Sequence, residues 1–249
     1  MIWMQRWIDV LFLHAPVPAT ELQRLVPPRL EVETFEGQAW VSYVLFRLKL
    51  RPAGLPHVPG FSSLVELNLR TYVRHRNQGG IYFLRMYANN RLAVTAARWL
   101  TPLDYRLGRL VHERLPSGSW QAECESKTDP FRLSFHCRPA SDMGRSAPGS
   151  LDEWLLERYR LYVGGKDRTL IAADVEHEPW EAARMEGEAA VKINLGQDMA
   201  GETPTRRLMH YSPGVTARFH EFRVVETAKQ FSFASALQPV RAGDRRGGR

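Results

Sequence analysis

Hydrophobic and polar positions alternate without a slip along Leu64–Arg74. Val65, Leu67, Leu69, Thr71 and Val73 point one way, and Glu66, Asn68, Arg70, Tyr72 and Arg74 the other. A period of two over this stretch predicts a β-strand about 36 Å long. Its polar face carries a carboxylate, an amide, a guanidinium and a phenol about 7 Å apart. Such an inventory suits an internal polar cavity, where each group needs a partner. The plain alternative is a sheet with one face in water.

Similar alternation predicts strands at Val10–Leu13, Trp40–Leu50, Ile81–Ala88 and Tyr105–Arg114, with further candidates at Arg168–His177, Arg184–Ala190 and Val215–Val225. WQAECES and FRLSFHC, joined by KTDP, read as a hairpin that sets Cys124 opposite about position 133 and Cys137 opposite about position 120. Three helices interrupt the strands. Thr20 caps a short one over Glu21–Val26. Ala93, Ala96, Ala97 and Leu100 mark a second over Arg91–Leu100, closed before Pro102. Ser150 and Glu153 form a capping box for a third that reaches about Val163. His210–Tyr211 before Ser-Pro-Gly reads as a turn, and Val191–Met199 is ambiguous. With no internal repeat and no dividing linker, residues 1–240 are expected to form one domain, followed by a disordered Gly/Arg tail at 241–249.

Composition narrows the function classes. A hydrophobic content of 44% excludes a disordered chain. No run of eighteen uncharged apolar residues exists to span a membrane as a helix. Of the net charge of +7, the tail supplies four arginines against Asp244, and no other segment interleaves bases with aromatics as a nucleic-acid surface does. A basic nucleic-acid binder is therefore the weakest class. Two cysteines on strands that do not pair them give no disulfide framework, which favours a cytoplasmic protein. No zinc, P-loop or dinucleotide signature is present, so neither metal nor cofactor is expected.

HAPVP, LVPPRLEVETFEGQAWVSYVLFRLK, PGFSSLVELNLRTYV, GGIYFLRMYANNRLAV, LDEWLLERYRLYV, VEHEPW and HYSPGV, in this order, closely resemble domain-of-unknown-function family 2071, the YqjF-like bacterial proteins, over roughly residues 5–225. That family belongs with the acetoacetate decarboxylase-like superfamily. The resemblance implies a mainly β fold: one large, closed, mostly antiparallel barrel with a polar lumen and a few outer helices. Decarboxylases of this kind use a lysine amine as nucleophile, seven residues beyond an arginine that ends a helix. Counting on from Arg98 gives Tyr105 and Arg106, and no lysine lies between Lys49 and Lys127. A phenol cannot condense with a ketone to an imine. The resemblance further matches Glu66 to the decarboxylase glutamate and Arg6 to an N-terminal arginine.

The expected ligand is thus a small organic acid or carbonyl compound bound without a Schiff base, with Arg6, Asn68, Arg70, Tyr72 and Arg106 as binding residues. A lysine-independent lyase or isomerase is the alternative. In it Glu66 takes a proton α to a carbonyl and Tyr105 acts as an acid or steadies an enolate oxygen. A purely structural reading stands beside both: Glu66 and Arg70 share a strand face and neutralise each other inside the barrel.

Overall fold

In the computed structural model, residues 3–51, 63–126, 128–164, 169–193, 201–202 and 207–227 are described. The tail at 241–249, most of the loop at 51–62 and the end of the ambiguous Val191–Met199 stretch lie outside them. The strands are β1 (Trp3–Val17), β2 (Glu31–Val32), β3 (Ala39–Arg51), β4 (Ser63–His75), β5 (Gln78–Ala88), β6 (Tyr105–Arg114), β7 (Trp120–Ser126), β8 (Arg132–Pro139), β9 (Arg160–Gly164), β10 (Leu170–Glu176), β11 (Ala183–Ile193), β12 (Gly201–Glu202), β13 (Leu208–Phe219) and β14 (Arg223–Glu226). The helices are α1 (Ala19–Leu25), α2 (Arg91–Leu100) and α3 (Leu151–Leu156). No helix among the described residues is long and apolar enough to cross a membrane.

All strands belong to one mixed, mostly antiparallel sheet that closes on itself twice. β5 pairs with β4 along one edge; its other edge is shared between β9 near Ile81 and β6 near Met86, both parallel. β13 divides in the same way, pairing with β11 at Met209–Tyr211 and with β10 at Arg218–Phe219. One ring therefore runs β1-β3-β4-β5-β9-β10-β13, and the other β1-β3-β4-β5-β6-β7-β8-β11-β13. The expected closed, mostly antiparallel β architecture is present in the larger ring, and the smaller ring shares a wall with it.

That wall explains the alternation in β4. Leu67, Leu69 and Val73 pack into the main apolar core with Leu11, Tyr43, Tyr87, Trp120 and Phe135. Glu66, Asn68, Arg70 and Tyr72 turn into the other ring, and all are 0–7% exposed. From Glu66 to Tyr72 both faces of the strand are buried, and on the polar face only Arg74, near the strand's end, meets water.

Two β-bulges keep the wall consistent. Asp9, at φ 54°, sits where the β1–β3 register shifts, so that Trp7 and Phe12, of opposite parity, both face the same ring. A second shift beside Leu84 does the same for Phe83 and Met86 on β5. In the hairpin β7–β8, Cys124 faces Leu133 and Trp120 faces Cys137, as the sequence implies. Both cysteines are buried and unbridged.

Three local expectations are corrected. α1 begins after Pro18, and Thr20 lies within it rather than capping it. α3 keeps its Ser150 cap, Oγ accepting from Glu153 N at 3.2 Å, with the Glu153 carboxylate accepting from Gly149 N instead of Ser150 N. It stops at Leu156, because Arg160–Gly164 is recruited as a strand between β5 and β10. The His210–Gly214 segment lies within β13. Pro213, which lacks an N–H, stands opposite the Asp9 bulge, where no ladder bond is required.

Candidate functional site

The ring β1-β3-β4-β5-β9-β10-β13 encloses a cavity of about 390 Å³. α2 lies over it, with Ala93, Ala96 and Ala97 in the lining. Asn90 caps this helix by accepting from Ala93 N at 3.0 Å, and Thr101 ends it by donating to Ala97 O. Arg98 Nε, in its last turn, donates to the Tyr105 carbonyl at 2.7 Å. The chain thus returns into β6 parallel to β5 with Tyr105 buried at the cavity wall. Leu100 and Glu221, exposed members of the lining, mark its mouth.

Tyr105 O–H donates to Glu66 Oε2 at 2.9 Å. Burial raises the Glu66 carboxyl to about 7, partly offset by hydrogen bonds from Tyr105 and Asn68. Burial and the neighbouring Glu66 push the Tyr105 phenol well above its ordinary value. Near neutral pH the pair therefore holds one exchangeable proton on Glu66 and a firmly bound one on Tyr105.

Arg70 lies four residues along the same strand face. Its Nη2 donates to the Leu155 carbonyl at 3.3 Å, and Tyr72 O–H donates to the same oxygen at 2.9 Å. Carbonyls in the last turn of a helix lack intrahelical partners, which makes the end of α3 an acceptor for both. The Tyr72 proton is committed there, so Ser42 Oγ donates to Tyr72 Oη at 2.5 Å and His14 Nδ1–H donates to Ser42 Oγ at 2.6 Å. Burial lowers His14, which leaves its Nε2 unprotonated and without a partner beside His210. His210 in turn lies 3.4 Å from Asp152, whose carboxyl that contact holds well below the usual range.

Glu66 and Arg70 form no ion pair, contrary to the mutual neutralisation considered from sequence. Arg70 has no carboxylate within ion-pair distance among the described residues, and its Nε has no hydrogen-bond partner. Asn68 Oδ1 is likewise unpartnered. The other two arginines of the lining are compensated: Arg158 Nη1 bonds Glu33 at 2.9 Å while its guanidinium lies over Trp154 and Tyr72, and Arg160 Nε bonds Asp174 at 2.6 Å.

Of the residues expected to form a site, Glu66, Asn68, Arg70 and Tyr105 line this cavity together. Tyr72 lies behind them, its hydroxyl engaged. Arg6 is exposed and absent from the lining; the neighbours that reach the cavity are Gln5 and Trp7. Arg106 follows Tyr105 on the opposite strand face and bonds Asp104 and Asp129 at 3.1 and 3.0 Å. The wall is also less polar than expected, being built largely of Trp, Phe, Leu and Ala side chains. Trp7, Arg158, His177 and Trp180 escaped sequence reasoning; the last two lie in VEHEPW, a run with no periodicity. Among the described residues, no group of three or more His, Cys, Asp or Glu side chains is placed to hold a metal ion.

Residues 4–216 match the family model of an uncharacterized conserved protein, domain-of-unknown-function family 2071. The uncharacterized protein YqjF of Bacillus subtilis strain 168 is 38% identical over 218 residues, covering 85% of this chain and 88% of that protein. Among solved structures, the enduracididine biosynthesis enzyme MppR, complexed with the condensation product of pyruvate and imidazole 4-carboxaldehyde, superposes with a TM-score of 0.68 at 14% identity over 90% of this chain and 89% of its own. An acetoacetate decarboxylase-like enzyme from Sphingomonas wittichii RW1 gives 0.62 at 15% identity over 91% and 94%. At such identities the likeness establishes the acetoacetate decarboxylase-like fold alone.

Proposed function

The chain belongs to this family of uncharacterized conserved proteins, and from that premise we propose that its cavity binds a small organic acid or related carbonyl compound, anchored by Arg70 and without an imine-forming lysine. The observation that carries the reading is the uncompensated Arg70 cation, buried with a free Nε on a cavity wall. A buried charge without a counter-charge is costly, by several kcal/mol for an isolated ion. A carboxylate offers the guanidinium a charge-assisted partner stronger than any neutral one. MppR, which shares the fold, has also been solved in complex with pyruvate.

The lysines support a route without a Schiff base. Lys49 and Lys192 are exposed, and no lysine belongs to the lining among the described residues. The hydrogen bond between Tyr105 and Glu66 favours a second reading, a lyase or isomerase. In it Glu66 removes a proton α to a carbonyl and the Tyr105 hydroxyl donates to the developing enolate oxygen. The two unbridged cysteines suit a reducing, cytoplasmic compartment.

A thermal-shift screen of short oxo-, hydroxy- and unsaturated acids tests the binding. A ligand at about 100 times its Kd adds roughly 2.7 kcal/mol, which for a chain of this length raises Tm by roughly 5–11 °C. The shift disappears in Arg70→Met and persists in Arg6→Met, whose arginine lies outside the cavity. No stabilising acid at millimolar concentration, or a shift that survives Arg70→Met, overturns the proposal.

A further inference from the structure

The aromatic side chains of the cavity are ordered with respect to its cation. Arg70 Cζ lies 5.8 Å from the Phe12 ring centroid. Phe12 meets Trp180 edge-on at 5.2 Å, Trp180 stacks on Trp7 at 6.0 Å, and Trp7 contacts Phe219 at 5.9 Å. The path runs from the buried guanidinium out to Phe219, next to the exposed Glu221 at the mouth. Besides these rings, the lining includes the small side chains of α2, Ala93, Ala96 and Ala97, which leave the space unfilled.

The size of the space has a consequence. At roughly 30 Å³ for each water-sized heavy atom, about 390 Å³ accommodates about a dozen such atoms. A three-carbon oxo acid occupies half of that and leaves the aromatic path facing water. Resting on the reading of Arg70 as a carboxylate anchor, we infer that the ligand is an amphipathic monocarboxylic acid of about a dozen heavy atoms. Its carboxylate sits on Arg70, and its extended apolar body, a medium alkyl chain or an arylalkyl group, lies along Phe12, Trp180 and Trp7.

Such a body must follow the wall for two further reasons. Glu66 and Arg70 are about 13 Å apart along β4 at the usual rise per residue, so a short acid on one does not bridge to the other. Between them the only polar side chain on that face is Asn68, and the neighbouring wall residues Phe12, Val44 and Met86 are apolar. Apolar surface is what this wall recognises between its two polar stations.

Isothermal titration of a homologous series, from butanoate to dodecanoate, with 4-phenylbutanoate and pyruvate alongside, tests the inference. Affinity is expected to rise about fourfold per methylene, the ratio given by roughly 0.8 kcal/mol per buried methylene. It should level off near decanoate and 4-phenylbutanoate, with a heat capacity of binding that grows more negative with length. Decanamide, lacking the charge, should bind at least about tenfold more weakly than decanoate. Ala97→Phe places a ring in the cavity roof and should move the plateau to about hexanoate while leaving butanoate unaffected. Decanoate binding that matches decanamide, or a plateau unmoved by Ala97→Phe, overturns the inference. Arg70-dependent binding of pyruvate or butanoate with no gain from added methylenes also overturns it, yet leaves the acid-binding function standing. Failure of every acid in the wild type overturns both.

Discussion

Replacing Glu66 by glutamine removes a charge from the cavity while keeping its shape. Burial raises this carboxyl to about 7 from an ordinary 4.5. Between those values the folded protein holds a proton that the unfolded chain has released, so stability falls as pH rises. The contribution is fully present below about 4.5 and lost as pH passes through about 7. Its full extent, about 2.5 units at about 1.4 kcal/mol each, is roughly 3 kcal/mol. The wild-type curve alone hides the effect, because burial lowers His14, and His112 to about 4. Their stability runs the other way and is lost as pH falls below about 6.5. Subtracting the Glu66→Gln curve from the wild-type curve cancels both histidines. In urea unfolding followed by tryptophan fluorescence, the variant should gain on the wild type by roughly 2–3 kcal/mol between about pH 5 and pH 8, or roughly 5–10 °C in Tm. Tyr105 keeps its acceptor in the glutamine carbonyl, so little is lost at pH 5. A difference that is flat with pH, or that favours the wild type as pH rises, refutes the account of Glu66 as a desolvated acid.

Other consequences can be checked as directly. His112, buried against Trp120 with both ring nitrogens unpartnered, should be improved by His112→Phe chiefly in acid, by roughly 2 kcal/mol at about pH 5 and far less at pH 7.5; equal gains in circular-dichroism melts at both pH values would contradict this. A Cβ added at Gly214, at φ 117°, meets the Trp7 carbonyl oxygen at 1.9 Å, whereas Gly118, at φ 82°, has nothing within 4 Å. Gly214→Ala should therefore cost several kcal/mol and Gly118→Ala only about 1–2, and similar melting points for the two would count against the close β1–β13 approach. Incubation with acetoacetate or pyruvate and borohydride should leave the mass unchanged; a stable adduct on any lysine would restore the imine route.

The sequence made the alternation legible but not its geometry. Period two in β4 sorted Glu66, Asn68, Arg70 and Tyr72 from Leu67, Leu69 and Val73, and the hairpin signal at 120–137 set the Cys124–Leu133 register. Helix α2 and its stop were equally plain, because small apolar residues at helical spacing ended before Pro102. Positions that depend on distant chain were not legible. Arg158 and Tyr162 extend the helical face that starts at Leu151, while Leu161 and Val163 alternate with Tyr162 as a strand requires, and only pairing with β5 and β10 decides between the two. Asp9 and Leu84 give no local signal of a bulge, yet each reverses the parity of its strand. The Asp9 bulge thereby hides Trp7 from a periodicity reading, whereas Arg6 enters the expected site only through the resemblance. The polarity of β4 also suggested a polar lumen, although one strand contributes only part of the wall.

The common wall separates two kinds of inheritance. Even-numbered positions from Glu66 to Arg70 see the cavity, while Leu67, Leu69 and Val73 hold the core beyond it. A lineage can rewrite the first set to suit a new compound without disturbing the second, so chemistry and foldability evolve on alternate letters of one word. The same arrangement forbids another kind of change. A single residue inserted in β4 would exchange the two sets, sending a carboxylate and a guanidinium into the core and leucines into the cavity. Family members of diverged specificity should therefore differ within this strand by substitution and never by length.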